Sequence, residues 1–207
     1  MNILIFAAHS DDVELAMGAT LAKLLREDNT IKLVILSKAE NIEGNKGITQ
    51  ELINSLDEFD KVSPFSYTYG KFDTDSLTTR FQDVKDFIYK YRDELDWDMV
   101  FCPSQEAMHD DHRAVARAVK AIFLGFTIYS YIDIRGGQET MANAWFQVTQ
   151  EDIIVKLKAL SCYKSQINLH NRYYFDFDSL EGLSKFRGLQ CGRHLAEGFQ
   201  LVRQIIL

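Results

Sequence analysis

Two short clusters hold most of the residues able to do hydrolytic chemistry, His9-Ser10-Asp11-Asp12 and His109-Asp110-Asp111-His112, and between them they contain three of the chain's five histidines. Imidazole and carboxylate suit Zn²⁺ or another divalent metal, and a carboxylate left outside the coordination sphere can take a proton from water. Acid-rich turns of this kind repel a bare phosphate. No G-x-G-x-x-G stands in either place, so a helix N-terminus cradling a pyrophosphate is not indicated. Asp11 and Asp12 are neighbours in a helix-entry turn and point in different directions, so one can bind metal while the other serves the water. The same division applies to His109 and His112, and spacing alone does not say which member of each pair is the ligand. An Asp at either place could instead simply cap the helix that follows. Capping leaves the histidines unexplained, and the presence of both clusters in one small chain favours metal.

The elements that must position these clusters are legible in the hydrophobic periodicity. Asn2 to Ala8 is a nearly continuous apolar run feeding a helical pattern from Val13 to Leu25. Ile31 to Leu36 and Phe65 to Tyr69 read as strands, with a helix from Ile48 to Phe59 between them. A helix from Thr78 to Leu95, a strand from Trp97 to Cys102 and a helix from His112 to Leu124 follow. This alternation predicts an α/β fold with a mostly parallel sheet covered on both faces, its chemistry just after Ala8 and just after Cys102, at the carboxyl ends of strands. Beyond Gly125 the pattern loosens into Phe126 to Ile134, an Arg135-Gly136-Gly137 turn, a strand at Trp145 to Val148, a helix from about Glu151 to Tyr163, and a terminal helix around Leu189 to Ile206. Ile167 to Asp178 is the least regular stretch and reads as a loop beside a substrate pocket.

Composition narrows the function. The chain has 207 residues, 46% hydrophobic, and its only two prolines form no linker, so residues 1–207 read as one domain. A net charge of −7 provides no field for a nucleic-acid backbone. No apolar run reaches transmembrane length and the first residues do not resemble a signal peptide, which predicts a cytoplasmic protein without a membrane span. Three cysteines, Cys102, Cys162 and Cys191, form no C-x-x-C and suggest neither a disulfide framework nor thiol chemistry. His170 and His194 stand outside the clusters and are read as ordinary histidines. Arg172, in the irregular segment, is the one further residue expected to touch substrate.

AHSDDVEL, residues 8–15, resembles the A-H-P-D-D-x-E motif of the PIG-L/LmbE-like zinc-dependent N-acetylglucosaminyl deacetylases, and His109 to His112 resembles their H-x-D-H motif. Lys164-Ser165-Gln166, Arg187-Gly188 and Ala196-Glu197-Gly198-Phe199 are similar to later family segments, so the likeness runs along nearly the whole chain. Departures lie at Ser10, where the family has proline, at Ala16-Met17, where it has a small glycine-rich helix start, and at Ala19, where glycine is usual. The resemblance implies a Rossmann-like three-layer α/β/α domain and a metal-dependent hydrolase removing the N-acetyl group from an amino sugar or its nucleotide-, lipid- or small-molecule conjugate. It implies His9, Asp12 and His112 as ligands of Zn²⁺ or another divalent ion, Asp11 as general base, His109 as the group assisting the oxyanion and leaving amine, and Asp111 as the carboxylate orienting a histidine and raising the pKa of His109. A homo-oligomer is compatible with it. The alternatives are a hydrolase of another small amide in secondary metabolism, or a metal-binding module of the same fold without turnover.

Overall fold

The computed structural model describes residues 1–132, 134, 141–169 and 172–206. The Arg135-Gly136-Gly137 turn and His170 lie outside the described residues. Seven strands form one sheet in the order β3-β2-β1-β4-β5-β7-β6. They are β1 (Asn2–Ala7), β2 (Thr30–Ile35), β3 (Ser66–Tyr69), β4 (Met99–Pro103), β5 (Ile128–Tyr131), β6 (Ala144–Gln147) and β7 (Ala196–Arg203). The first five pair in parallel, and β7 runs antiparallel between β5 and β6.

Strand β1 shows why its sequence had to be continuously apolar. Ile3, Ile5 and Ala7 pack into the core on one face of the sheet, and Leu4, Phe6 and Ala8 into the core on the other. A strand buried on both faces has no polar side to alternate with. The first face is covered by helices α1 (Asp12–Arg26), α2 (Ile48–Asp60) and α5 (Gln150–Leu160), and the second by α3 (Phe81–Tyr89) and α4 (Asp110–Ile122). Two further helices, α6 (Lys164–Ile167) and α7 (Phe177–Cys191), flank a 3₁₀ turn at Tyr173–Phe175. The expected three-layer arrangement is thus present.

Two expectations need correction. Residues 196–203 form a strand, not the end of a terminal helix. Helix α7 stops because Gly192 adopts the left-handed conformation at φ 70°, and the Ala196–Phe199 stretch is then buried between two strands whose hydrogen bonds it completes. Helix α3 is also shorter than the Thr78 to Leu95 pattern. Past its end, the Arg92 guanidinium donates to Ile122 O and the Trp97 indole donates to Tyr91 O, contacts that tie the backbone into a turn.

The order of strands reverses between β1 and β4, since β1 leads to β2 on one side and β4 to β5 on the other. Crevices of this kind, outside the carboxyl ends of strands, are where open α/β sheets bind ligands. Both clusters flank this one.

Candidate active site

His9 leaves β1 directly, and Asp12 begins α1. The Asp12 carboxylate turns back to accept from the backbone N–H of His9 at 2.8 Å and of Ala8 at 3.1 Å, which fixes the turn. Across the crevice His109 caps α4, its Nδ1 accepting from Asp111 N at 3.2 Å, and His112 lies one turn further on. The structure brings the donors together. His9 Nδ1 lies 3.3 Å from His112 Nε2, His112 Nε2 lies 3.1 Å from Asp12 Oδ1, and His9 Nδ1 lies 3.7 Å from Asp12 Oδ2. Ligands of a tetrahedral zinc, each about 2.0–2.1 Å from the ion, stand about 3.3 Å apart. All three residues are buried, and the donor set fits a divalent metal.

A second group, His9, His109 and Asp111, also converges, but its carboxylate is already committed. Asp111 accepts from Asp75 N at 2.7 Å and Leu77 N at 3.0 Å, and its Oδ2 lies 3.1 Å from His9 Nε2. Carboxylates that hold the outer nitrogen of a metal-binding imidazole fix its tautomer and tilt.

This overturns the expectation that the His109 pKa is raised, with Asp111 as the cause. Asp111 reaches His9, and the carboxylate nearest to His109 Nε2 is that of Asp75, 3.5 Å away. The His109 pKa is lowered, first by burial and then by the neighbouring His9 and His112, which together outweigh the upward pull of Asp111 and Asp12. Its ring accepts a hydrogen bond at Nδ1, so the neutral tautomer carries its proton on Nε2.

The other groups behave as their surroundings dictate. Burial alone would raise the Asp12 carboxyl, but His112 and His9 hold it well below the usual carboxylate range. Burial likewise opposes a charge on His9, yet hydrogen bonds to Asp111 and Asp12 leave its pKa raised. Glu14, fully buried, is pushed up to about 7 by desolvation, even though the Tyr163 hydroxyl donates to its Oε1 at 2.7 Å and Ser55 Oγ at 2.8 Å. The Tyr163 hydroxyl also reaches Ser10 O, bracing the turn from behind. Asp11 sits at the N-cap position of α1, but its side chain makes no capping hydrogen bond. It faces a cavity of about 510 Å³ instead.

That cavity is lined by His9, Asp11 and His109, by Asp75 and Thr74 from the loop after β3, and by Ala39, Ile42 and Asn45 from the loop after β2. Arg172 lines it as well, with Tyr174, to whose hydroxyl it donates. Arg172 was expected beside substrate. Asp75, Asn45 and Gln166 as pocket residues were not, although Gln166 ends the Lys164-Ser165-Gln166 segment noticed in the sequence. Asp75 has positive φ, 66°, without being glycine, and its N–H bond to Asp111 holds it there.

The profile of the family described as PIG-L, GlcNAc-PI de-N-acetylase, matches residues 4–123. Among solved structures, the zinc-inhibited form of teicoplanin deacetylase Orf2 superposes with a TM-score of 0.76 at 15% identity, covering 96% of this chain and 97% of that one. The N,N'-diacetylchitobiose deacetylase of Pyrococcus horikoshii gives 0.74 at 18% identity over 96% and 82% of the two chains. GalB, the 4-carboxy-2-hydroxymuconate hydratase of Pseudomonas putida KT2440, gives 0.70 at 14% identity over 100% and 98%. At these identities the likeness is one of fold.

Proposed function

This chain belongs to the PIG-L family of GlcNAc-PI de-N-acetylases, and from that premise we propose that it hydrolyses the N-acetyl amide of an amino sugar or sugar conjugate. The observation that carries the reading is the convergence of His9 Nδ1, His112 Nε2 and the Asp12 carboxylate, with Asp11 beside them lining the same cavity as His9. His9, Asp12 and His112 would hold a divalent ion, with Zn²⁺ suited to two imidazoles and a carboxylate. When bound, such an ion supplies Lewis acidity at the point where water and the amide carbonyl meet.

The protein's own groups then divide the work. Asp11 takes the proton from the attacking water and passes it to the departing nitrogen, because an amine leaves only once protonated. Neutral His109 presents its Nε2–H to the oxygen that gains charge, and being preoriented it reorganises little as the reaction proceeds. The Asp111 N–H holds that ring at Nδ1, and the Asp75 carboxylate lies 3.5 Å from its Nε2. Asp111 orients His9, and Arg172 meets polar groups of the substrate in the cavity. No described helix is long and apolar enough to cross a membrane.

Metal analysis and acetate release test this reading together. Wild type should purify with, or take up, one divalent ion per chain and release acetate from at least one of a panel of free N-acetylhexosamines, their glycosides, nucleotide sugars and lipid-linked sugars. His112→Ala should lose both properties. Equal metal content in the two proteins removes His112 from the ligand set, and silence across the panel defeats the deacetylase reading. Because a hydratase shares this fold, acetate itself is the readout, since loss of starting material alone would not distinguish the reactions.

A further inference from the structure

Gln166 is 1% exposed, yet it lines the catalytic cavity from helix α6. The orientation of its amide follows from two chains of hydrogen bonds that begin at groups able only to accept. In the first, Ala39 O takes a hydrogen bond from Asn45 Nδ2 at 2.9 Å, so Asn45 must turn Oδ1 the other way, where Gln166 Nε2 donates to it at 3.0 Å. In the second, the Glu51 carboxylate accepts from Ser165 Oγ at 2.6 Å, which uses the hydroxyl's only proton and leaves its oxygen to accept from Gln166 Nε2 at 3.0 Å. Ser165 is pinned further by its N–H, 2.8 Å from the same carboxylate. Both chains demand that Gln166 present Nε2 inward. Among the described residues no donor reaches Oε1, which is the group's one remaining hydrogen-bonding atom. A glutamine is free to flip in principle, but flipping here would set Oε1 against two acceptors and leave both unsatisfied.

We propose that Gln166 is a specificity-determining residue whose Oε1, locked as an acceptor, takes a hydrogen bond from a hydroxyl or N–H of the substrate in the cavity. The inference deepens the deacetylase reading and rests on it for the identity of the substrate. A buried acceptor that finds no donor penalises the wrong ligand more than it rewards the right one, which makes such a group selective. The requirement is met by a sugar hydroxyl or by the secondary amide N–H, and it excludes a substrate presenting an ether, ester oxygen or tertiary amide there.

The test has two arms. In the first, the Gln166 side-chain amide of ¹⁵N-labelled wild-type protein, assigned by its disappearance in Gln166→Leu, should exchange with solvent at least about tenfold more slowly than an exposed glutamine, and Asn45→Leu should abolish the protection. In the second, kcat/KM is measured for the methyl glycoside of N-acetylglucosamine, its monodeoxy analogues and its N-methylated amide. Gln166→Leu should cost about ten- to a hundredfold on the parent but no more than about twofold on the one analogue that lacks the matching donor. A deoxy sugar in that place identifies a hydroxyl, and the N-methyl compound identifies the amide. Should the variant fail to fold, wild type alone should still reject one analogue by a similar factor. Equal losses on every analogue, or amide protons that exchange at the exposed rate, overturn the proposal. If wild type hydrolyses nothing in the panel, the reading of the reaction falls separately. Gln166 is then judged by its amide resonances, whose shift on adding the methyl glycoside supports the proposal and whose constancy with every compound overturns it.

Discussion

Two buried polar clusters share helix α1 and differ in what their charges are doing. At its middle, the helix breaks at Met17, where φ is −143°, and the Glu197 carboxylate from β7 accepts from Ala19 N at 3.3 Å and Thr20 N at 2.6 Å on the far side of the break. Lys156 Nζ, almost fully buried, donates to Glu197 Oε1 at 2.6 Å. One cation, one anion and two freed N–H groups satisfy one another. At the start of the same helix, two imidazole nitrogens face each other at 3.3 Å, and the Asp12 carboxylate lies 3.1 Å from one of them. A set whose bonds all close within the protein holds the fold together. The other brings together donors that could hold a divalent ion.

Breaking the open cluster should cost the most in rate. Asp11→Asn keeps the shape but cannot accept a proton, so acetate release should fall by roughly 10²- to 10⁴-fold while metal content and unfolding midpoint stay at wild-type values. Activity within a few-fold of wild type would reduce Asp11 to a helix cap.

The closed cluster should fail in the opposite way. Lys156→Met leaves Glu197 buried with its charge uncompensated, a change that costs about 3–5 kcal/mol. Denaturant unfolding should show that loss, and kcat/KM per folded molecule should remain unchanged. A reduced rate at undiminished stability would place the pair in the chemistry after all.

Glu14 sits between the two clusters and sharpens the contrast through pH. Its folded pKa of about 7 lies above the ordinary value of 4.5 for an exposed glutamate, so the folded state binds the proton more tightly. Its stabilising share is fully present below about pH 4.5 and is lost as pH rises through 7, a change of about 3 kcal/mol. In chelator-treated protein, the stability advantage of wild type over Glu14→Gln should therefore decline between pH 5 and 7. A constant difference across that interval would mean that Glu14 is ionised throughout.

The smallest effect is expected at the rim. Asp75 is 72% exposed at its side chain and 3.5 Å from His109, so Asp75→Asn should lower kcat by only about two- to fivefold, with KM for the sugar little altered. A change confined to KM would make Asp75 a substrate contact and no support for His109.

The sequence made the parallel half of the fold readable because β1, β2 and β4 are buried on both faces and so appear as nearly continuous apolar runs, broken in β2 by Lys32, each followed by helical spacing. β7 was not readable in that way. Its run, AEGFQLVR, contains a buried glutamate and a glycine, and helical spacing before it extends plausibly through Leu189 until the left-handed Gly192 intervenes. In the site, histidines and paired acids announced themselves by type. The partner of each did not, because Asp111 is closer in sequence to His109 but in space meets His9, 102 positions away. Asp75 and Asn45 come from loops whose composition resembles any polar turn, and only the fold places them on the cavity.

The bond from Glu197 to the N–H of Thr20 joins residues 177 positions apart, and it concerns time as well as geometry. In a chain made from its N-terminus, the His9–Asp12 turn and α1 emerge well before the residue that caps the helix break. Until β7 slots between β5 and β6, those N–H groups have only water, and closing so long a loop is an entropic cost met late. Helix α1 is therefore made early relative to β7 and fixed only with it. A nascent chain stalled before residue 197 should hold α1 loosely, and truncations that remove β7 should lose protection from hydrogen exchange in α1 before they lose it in β2 or α2.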